Sequence, residues 1–348
     1  MRLICERSAL LEAVIALSSV AAARTPKEVL RCIKMTAGEG VLTLTSTDLE
    51  IALQFAITQV DIQDAGETVI LADKLLQILR ESADQTVTIE TEGNDSHIRG
   101  ADSYFKVLGF PPGEFPPIPD FPADDLVTME LSAGDLHQLI IRTVFATARE
   151  NSRYAINGVL LVKNGKQLEL VATDGRRLAL ARGACKAGKN AAEESRCIIP
   201  TKALNVLTKL VHEAEANVQV AITENQVLFR FAEAAGVSSM LSTKTVEGTF
   251  PPYEDVIPRD QDKKVVFACD ELASAVRRAA LLTNEESRGV RLSFKDELLT
   301  LSSRAPELGE AEIKLPMSGY EGEEIEIGFN PAFITDALKV IHTQDVQI

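Results

Sequence analysis

Asp48 in STDLE and Asp174 in ATDGRR stand at matching places in two similar strings, and a carboxylate pair of this kind could serve acid–base or metal-assisted hydrolysis. A turn role competes with that reading, because aspartate bonds its own backbone a residue or two ahead. A third similar string carries Ser303-Arg304 instead, and separate modules would hold the two carboxylates far apart, so the turn role is expected. The cysteines (Cys5, Cys32, Cys185, Cys197, Cys269) are odd in number and form no C-x-x-C, and His97, His137, His212 and His342 show no ligand spacing. Neither a disulfide framework nor a metal site is expected, and free thiols fit a reducing cytoplasm. Phosphate-loop, dinucleotide, zinc-protease and serine-hydrolase strings are absent, so no cofactor and no catalytic residue is expected; Gly188-Lys189 lacks the earlier glycines of a phosphate loop.

The elements that would have to position any site recur along the chain. SALLEAVIALSSVAAAR (8–24), AGDLHQLIIRTVFATAR (133–149) and CDELASAVRRAALLTNE (269–285) are helix-like, and each is followed by alternating strand-like runs. Further on, ETVILADKLLQIL (67–79), RCIIPTKALNVL (196–207) and EIEIGFNPAFITDAL (324–338) each lead a β-like run into a short amphipathic helix. EFPPIPDFP (114–122) and TFPPYEDVIP (249–258) close the first two copies, and proline there suits a crossing between compact units. Three modules are therefore expected, at 1–125, 126–260 and 261–348. Each should be α+β, two helices packed on antiparallel sheets, because strictly alternating βαβ units are absent. The third copy is shorter: only HTQDVQI follows its second helix, so two or more strands are expected to be missing, as in a chain that stops early. Residues 8–23 imitate a secretory signal, but Glu12 interrupts them, they are too short to span a bilayer, and the segment recurs twice. No membrane association is expected.

The chain has 348 residues and a net charge of −15. As a whole-chain figure this speaks against nucleic acid, whose phosphates need local Lys and Arg. The charge is unevenly spread. Of six helix-like windows (7–19, 72–82, 134–148, 202–211, 270–283, 331–341), five are neutral and 202–211 carries two lysines, leaving −17 on the remainder.

RYAINGVLL (153–161), VATDGRRLAL (171–180), TFPPYEDVIP (249–258), LTNEESRGVRL (282–292) and IGFNP (327–331), in that order, resemble the bacterial DNA polymerase III β subunit, the sliding-clamp family. The resemblance runs the length of the chain. It implies a non-catalytic processivity factor: a homodimeric, head-to-tail ring of the DNA-clamp fold around double-stranded DNA. Such a ring tethers the polymerase III catalytic subunit, is served by a clamp loader, and binds other clamp-motif proteins. Carried over residue by residue, the resemblance implies DNA contacts at Arg24 and Arg149, with Lys202 from the basic window beside them. It implies a pocket for an apolar peptide at Ile156, Thr173, Gly175, Arg176, Arg177, Leu178, Pro251 and Val256, with Arg176 where many members have His. A subunit interface is implied between Phe105 and Val107 of one copy and Leu281 and Leu282 of the next. Two other readings compete: a hydrolase using Asp48 and Asp174, and a monomeric scaffold that never meets DNA.

Overall fold

The computed structural model describes residues 1–148, 155–211, 213–283 and 289–348. One order of elements runs through it three times. The first run comprises β1 (Arg2–Glu6), α1 (Arg7–Ser18), β2 (Cys32–Gly38), β3 (Val41–Thr47), β4 (Ile51–Ile57), β5 (Val60–Asp64), β6 (Gly66–Leu71), α2 (Ala72–Glu81), β7 (Thr86–Glu92), β8 (Asp95–Arg99) and β9 (Tyr104–Val107). The second comprises β10 (Met129–Ser132), α3 (Ala133–Ile141), β11 (Gly158–Asn164), β12 (Gln167–Thr173), β13 (Leu178–Ala184), β14 (Lys186–Ala187), β15 (Glu194–Pro200), α4 (Thr201–Leu207), β16 (Asn217–Ile222), β17 (Gln226–Ala234) and β18 (Val237–Lys244). The third comprises β19 (Lys264–Ala268), α5 (Cys269–Ala279), β20 (Val290–Lys295), β21 (Leu298–Ala305), β22 (Gly309–Pro316), β23 (Ser318–Glu321), β24 (Ile325–Phe329), α6 (Pro331–Leu338) and β25 (Asp345–Gln347).

Four of the six described helices, α2, α3, α5 and α6, begin where the sequence gives them a cap or a charge. Ser132 accepts the Asp135 N–H at 3.0 Å and donates to the Asp135 carboxylate at 2.8 Å, which satisfies one of the free N–H groups at the start of α3. Asn330 does the same for Ala332 N, with Pro331 preset for the first turn of α6. On α5, Asp270 and Glu271 sit in the first turn and Arg277 and Arg278 in the last, each complementing the helix dipole.

Strand pairing is antiparallel and repeats from run to run. β1 lies between β5 and β7, β10 between β14 and β16, and β19 between β23 and β25. The chain folds as two compact units, Met1–Ala172 with Leu180–Phe250, and Thr173–Ala179 with Pro251–Ile348. Within the first, β4 pairs along β18, from Ile51↔Thr243 to Ile57↔Val237, so strands of the first two runs join one nine-stranded sheet. The second unit has its own core, with Leu272, Val276, Leu292, Leu299 and Leu301 essentially buried.

All five cysteines are free thiols. Burial pushes Cys5 up to about 11 and Cys32 and Cys197 up to about 12, so these thiols stay protonated and inert. No helix among the described residues is long and apolar enough to cross a membrane.

Candidate functional site

The two aspartates of the T-D strings are turn residues. Asp174 Oδ1 accepts the N–H groups of Arg176 and Arg177 at 3.0 and 3.1 Å, and Thr173 Oγ1 donates to Arg177 O at 2.7 Å. In the first run Asp48 Oδ1 accepts from Glu50 and Ile51 at 3.0 and 2.8 Å, and Thr47 Oγ1 donates to Ile51 O at 2.8 Å. One position separates the two turns: Gly175 has φ +84°, and its counterpart Leu49 has φ +76°. A leucine there carries a left-handed penalty of about 1–2 kcal/mol that glycine avoids. Leu49→Gly is therefore expected to stabilise the protein by about 1 kcal/mol, part of the relief being offset by the freer unfolded chain. Urea unfolding would read this as a higher midpoint; a lowered midpoint would mean that the half-exposed leucine side chain outweighs the backbone strain.

Beyond its turn, Arg177 is a hub of the second unit. Its Nε donates to Asp174 Oδ2 at 3.1 Å and one terminal nitrogen donates to Asp336 Oδ2 at 3.0 Å, while the guanidinium lies 4.7 Å from the Phe333 ring centre. Phe333 and Asp336 are three residues apart on α6, hence on one face of the helix. Burial alone would raise the Asp336 carboxyl, but the hydrogen bonds from Arg177 and Lys339 outweigh it and hold the group below the usual carboxylate range. A depressed carboxylate stabilises the fold above its ordinary pKa, and that contribution disappears as acid protonates it. The Arg177–Asp336 tie is therefore complete at neutral pH.

Beside this hub lies an apolar groove of about 490 Å³, within the range of ligand clefts. Arg176 and Arg177 stand at its rim, and Leu292, Phe294, Phe333 and Ile334 contribute to its walls. Thr173, Gly175, Arg176, Arg177, Leu178, Pro251 and Val256 belong to this unit, whereas Ile156, 8 % exposed, belongs to the other. Val256 is open to solvent at 67 % and Leu178 is half-buried. Sequence reasoning missed Phe333 and Asp336. Their only signal was an aromatic and a carboxylate at helical spacing, which nothing local ties to an arginine 159 positions away.

The other sequence-predicted residues fall elsewhere. Phe105 and Val107 lie on β9, the outer strand of the sheet β5-β1-β7-β8-β9, and Leu281 is 75 % exposed just after α5, followed by half-buried Leu282. Arg24 is exposed in the segment after α1. Lys202, at the start of α4, is half-exposed and ion-pairs with Asp48, a partner contributed by the first run. Arg149 lies outside the described residues.

Comparison with known proteins accounts for the whole chain. Models of the DNA polymerase III beta subunit match its N-terminal domain at residues 1–119, its central domain at 130–252 and its C-terminal domain at 254–348. The beta sliding clamp of Vibrio cholerae is 33 % identical over 349 residues, covering 100 % of this chain and 92 % of that protein. That of Escherichia coli K12 is 31 % identical over 351 residues, with the same coverage. Among solved structures, the sliding clamp of Bacillus subtilis superposes with a TM-score of 0.90 at 28 % identity, and the Pseudomonas aeruginosa clamp bound to griselimycin with 0.89 at 32 %. Each covers 100 % of this chain and is itself covered over 92 % of its length. The chain belongs to the family of the bacterial DNA polymerase III β subunit, the beta sliding clamps.

Proposed function

We propose that two copies of this chain close head to tail into a ring around duplex DNA in the cytoplasm and there tether the polymerase III catalytic subunit and other clamp-motif proteins. Sliding-clamp function and the lack of catalysis come with the family. The assembly, the residues and the module boundaries near 125 and 260 are the proposal. The observation that carries it is the outer strand β9, where Tyr104, Phe105 and Leu108 just beyond it are 51, 37 and 69 % exposed. An apolar sheet edge of this kind invites another chain, and head-to-tail closure covers it without leaving a second edge open.

Arg24, Arg149 and Lys202 are the proposed DNA contacts. Because Asp48 already holds Lys202, a phosphate would have to compete for that ammonium, which keeps the grip weak enough for movement along the duplex. A ring stays on DNA by linkage. Loaded by a clamp loader onto nicked circular DNA, the protein should remain bound through a high-salt wash and be lost once the circle is cut; equal, salt-sensitive retention on both forms would overturn the proposal.

The partner pocket is proposed at Ile156, Thr173, Gly175, Arg176, Arg177, Leu178, Pro251 and Val256. It suits a short peptide with bulky apolar residues, which needs apolar walls and a few polar groups at their edge. Leu178→Asp should weaken a fluorescent clamp-motif peptide at least tenfold in anisotropy titrations, about 1.4 kcal/mol or more. Unchanged affinity would move the pocket elsewhere.

A further inference from the structure

The T-D turns of the first two runs are each tied by an ion pair to the short second helix of the next run. The first tie runs from Lys202 on α4 to Asp48, the turn aspartate itself. In the second the signs are exchanged: the turn supplies the cation, Arg177, and α6 supplies the carboxylate, Asp336, 3.0 Å away. Hydrogen bonds fix which turn residues correspond. Ile51 and Arg177 each donate their N–H to the turn aspartate, and each accepts from the turn threonine at its carbonyl. Ile51 is 2 % exposed and closes the first turn as a core residue. Arg177 puts a charge in the same place, which is costly to bury unless partners surround it.

Asp174, Asp336 and Phe333 are such partners. A guanidinium is a rigid planar fork, so two carboxylates on different elements and one ring fix its place and its plane together. Asp174 belongs to the turn and moves with it. Asp336 and Phe333 belong to α6 and anchor the guanidinium outside the turn. Of the two, Asp336 makes the directional bond, and it is itself held: its Oδ1 accepts from Lys339 at 3.2 Å, while its Oδ2 accepts from Arg177. Residues 173–179 belong to the second unit, whereas the rest of β12 and of β13 belongs to the first. The turn is therefore placed by what it meets in the second unit, and Leu178 follows directly on the anchored residue.

We propose that Asp336 is a positioning residue for partner recognition: through Arg177 it holds the turn 173–178 on α6 in the arrangement that presents Leu178 and Arg176 to an apolar peptide. This rests on the peptide pocket proposed above and adds to it a residue outside the pocket set. Asp336 acts on the peptide through Arg177 and the turn. Ordering the turn before the peptide arrives reduces the entropy lost on binding. The charge on α6, remote in sequence from the turn, thereby sets how well the pocket is formed.

The test uses the full chain and a fluorescent clamp-motif peptide, with Leu178→Asp as the control that defines the pocket. Asp336→Asn, verified as folded by circular dichroism, should weaken the peptide at least about fivefold. It should also speed amide exchange at Arg176, Arg177 and Leu178. In an Arg177→Met background, Asp336→Asn should have no further effect, which separates action through Arg177 from a general effect on α6. In the parent, nuclear magnetic resonance should show an Arg177 Nε–H that exchanges slowly with water, a readout that needs neither variant nor peptide. Equal affinity of the parent and Asp336→Asn would overturn the proposal. So would an undiminished effect of Asp336→Asn in the Arg177→Met background, or a rapidly exchanging Nε–H in the parent. A parent that binds no peptide, or a Leu178→Asp variant that binds as well as the parent, would overturn the pocket itself and this proposal with it.

Discussion

On the proposed head-to-tail dimer, replacing Leu281 and Leu282 together by alanine is expected to leave the protein sedimenting as a monomer at concentrations where the parent sediments as a dimer. Leu281 is 75 % exposed in the single chain, so its side chain contributes little to the fold there. Burial of both leucines against a partner's Phe105 and Val107 would place them at the centre of the contact, where large apolar side chains carry most of the binding free energy. Truncating one such leucine removes roughly 2 kcal/mol, and the pair about 4 kcal/mol, close to a thousandfold in the dissociation constant. A thermal midpoint that barely moves would separate loss of assembly from loss of fold. A persistent dimer would mean that the contact lies elsewhere.

The surface proposed to oppose them is ordered within its own sheet. On β8 and β9, Lys106 is paired to Asp95 at 2.9 Å, Tyr104 OH meets His97 Nδ1 at 2.7 Å, and Arg99 lies 4.6 Å from the Tyr104 ring centre. These side chains are thus engaged within their own sheet, and Phe105 and Leu108 are left facing solvent. Ordering an edge in advance reduces the entropy lost on association. Surface ion pairs contribute little to stability, so positioning is the larger effect of these contacts.

Local pattern made much of this architecture readable. The apolar spacing of the helices, the N-cap residues Ser132 and Asn330 and the T-D turns all depend on neighbours within about four positions, which is the range over which side chains on one turn can interact. Asp48 and Asp174 could be assigned to turns for that reason. Pairings across long stretches of chain were not readable in the same way. Nothing local in IALQFAI announces that β4 joins β18, because an alternating strand has no label for its partner. Lys202 with Asp48, and Arg177 with Asp336, likewise join residues about 150 positions apart.

Lys163 is the residue that reads most differently in sequence and in structure, and its replacement should be among the most damaging to the fold. Lysines are almost never fully buried unless paired, yet Lys163, near the end of β11, is 1 % exposed. By register it stands where the other runs place Ala37 and Phe294, both core residues. Its four-carbon stem occupies apolar space, and the ammonium donates to the carbonyls of Ala192 and Glu193 at 2.7 and 3.2 Å, tying the segment before β15 to β11. Lys163→Ala removes about 2 kcal/mol of apolar burial and leaves two carbonyls without their donor, so a loss of about 3 kcal/mol is expected. Lys163→Met retains most of the stem and should lose about half as much, from the hydrogen bonds alone. Urea unfolding of the three proteins would give these differences as shifts in midpoint at constant slope. Amide exchange would localise them, with faster exchange expected at residues 189–193 in both variants. Equal midpoints for the parent and Lys163→Ala would mean that the ammonium's desolvation offsets everything its stem and hydrogen bonds contribute, as happens for some buried charges.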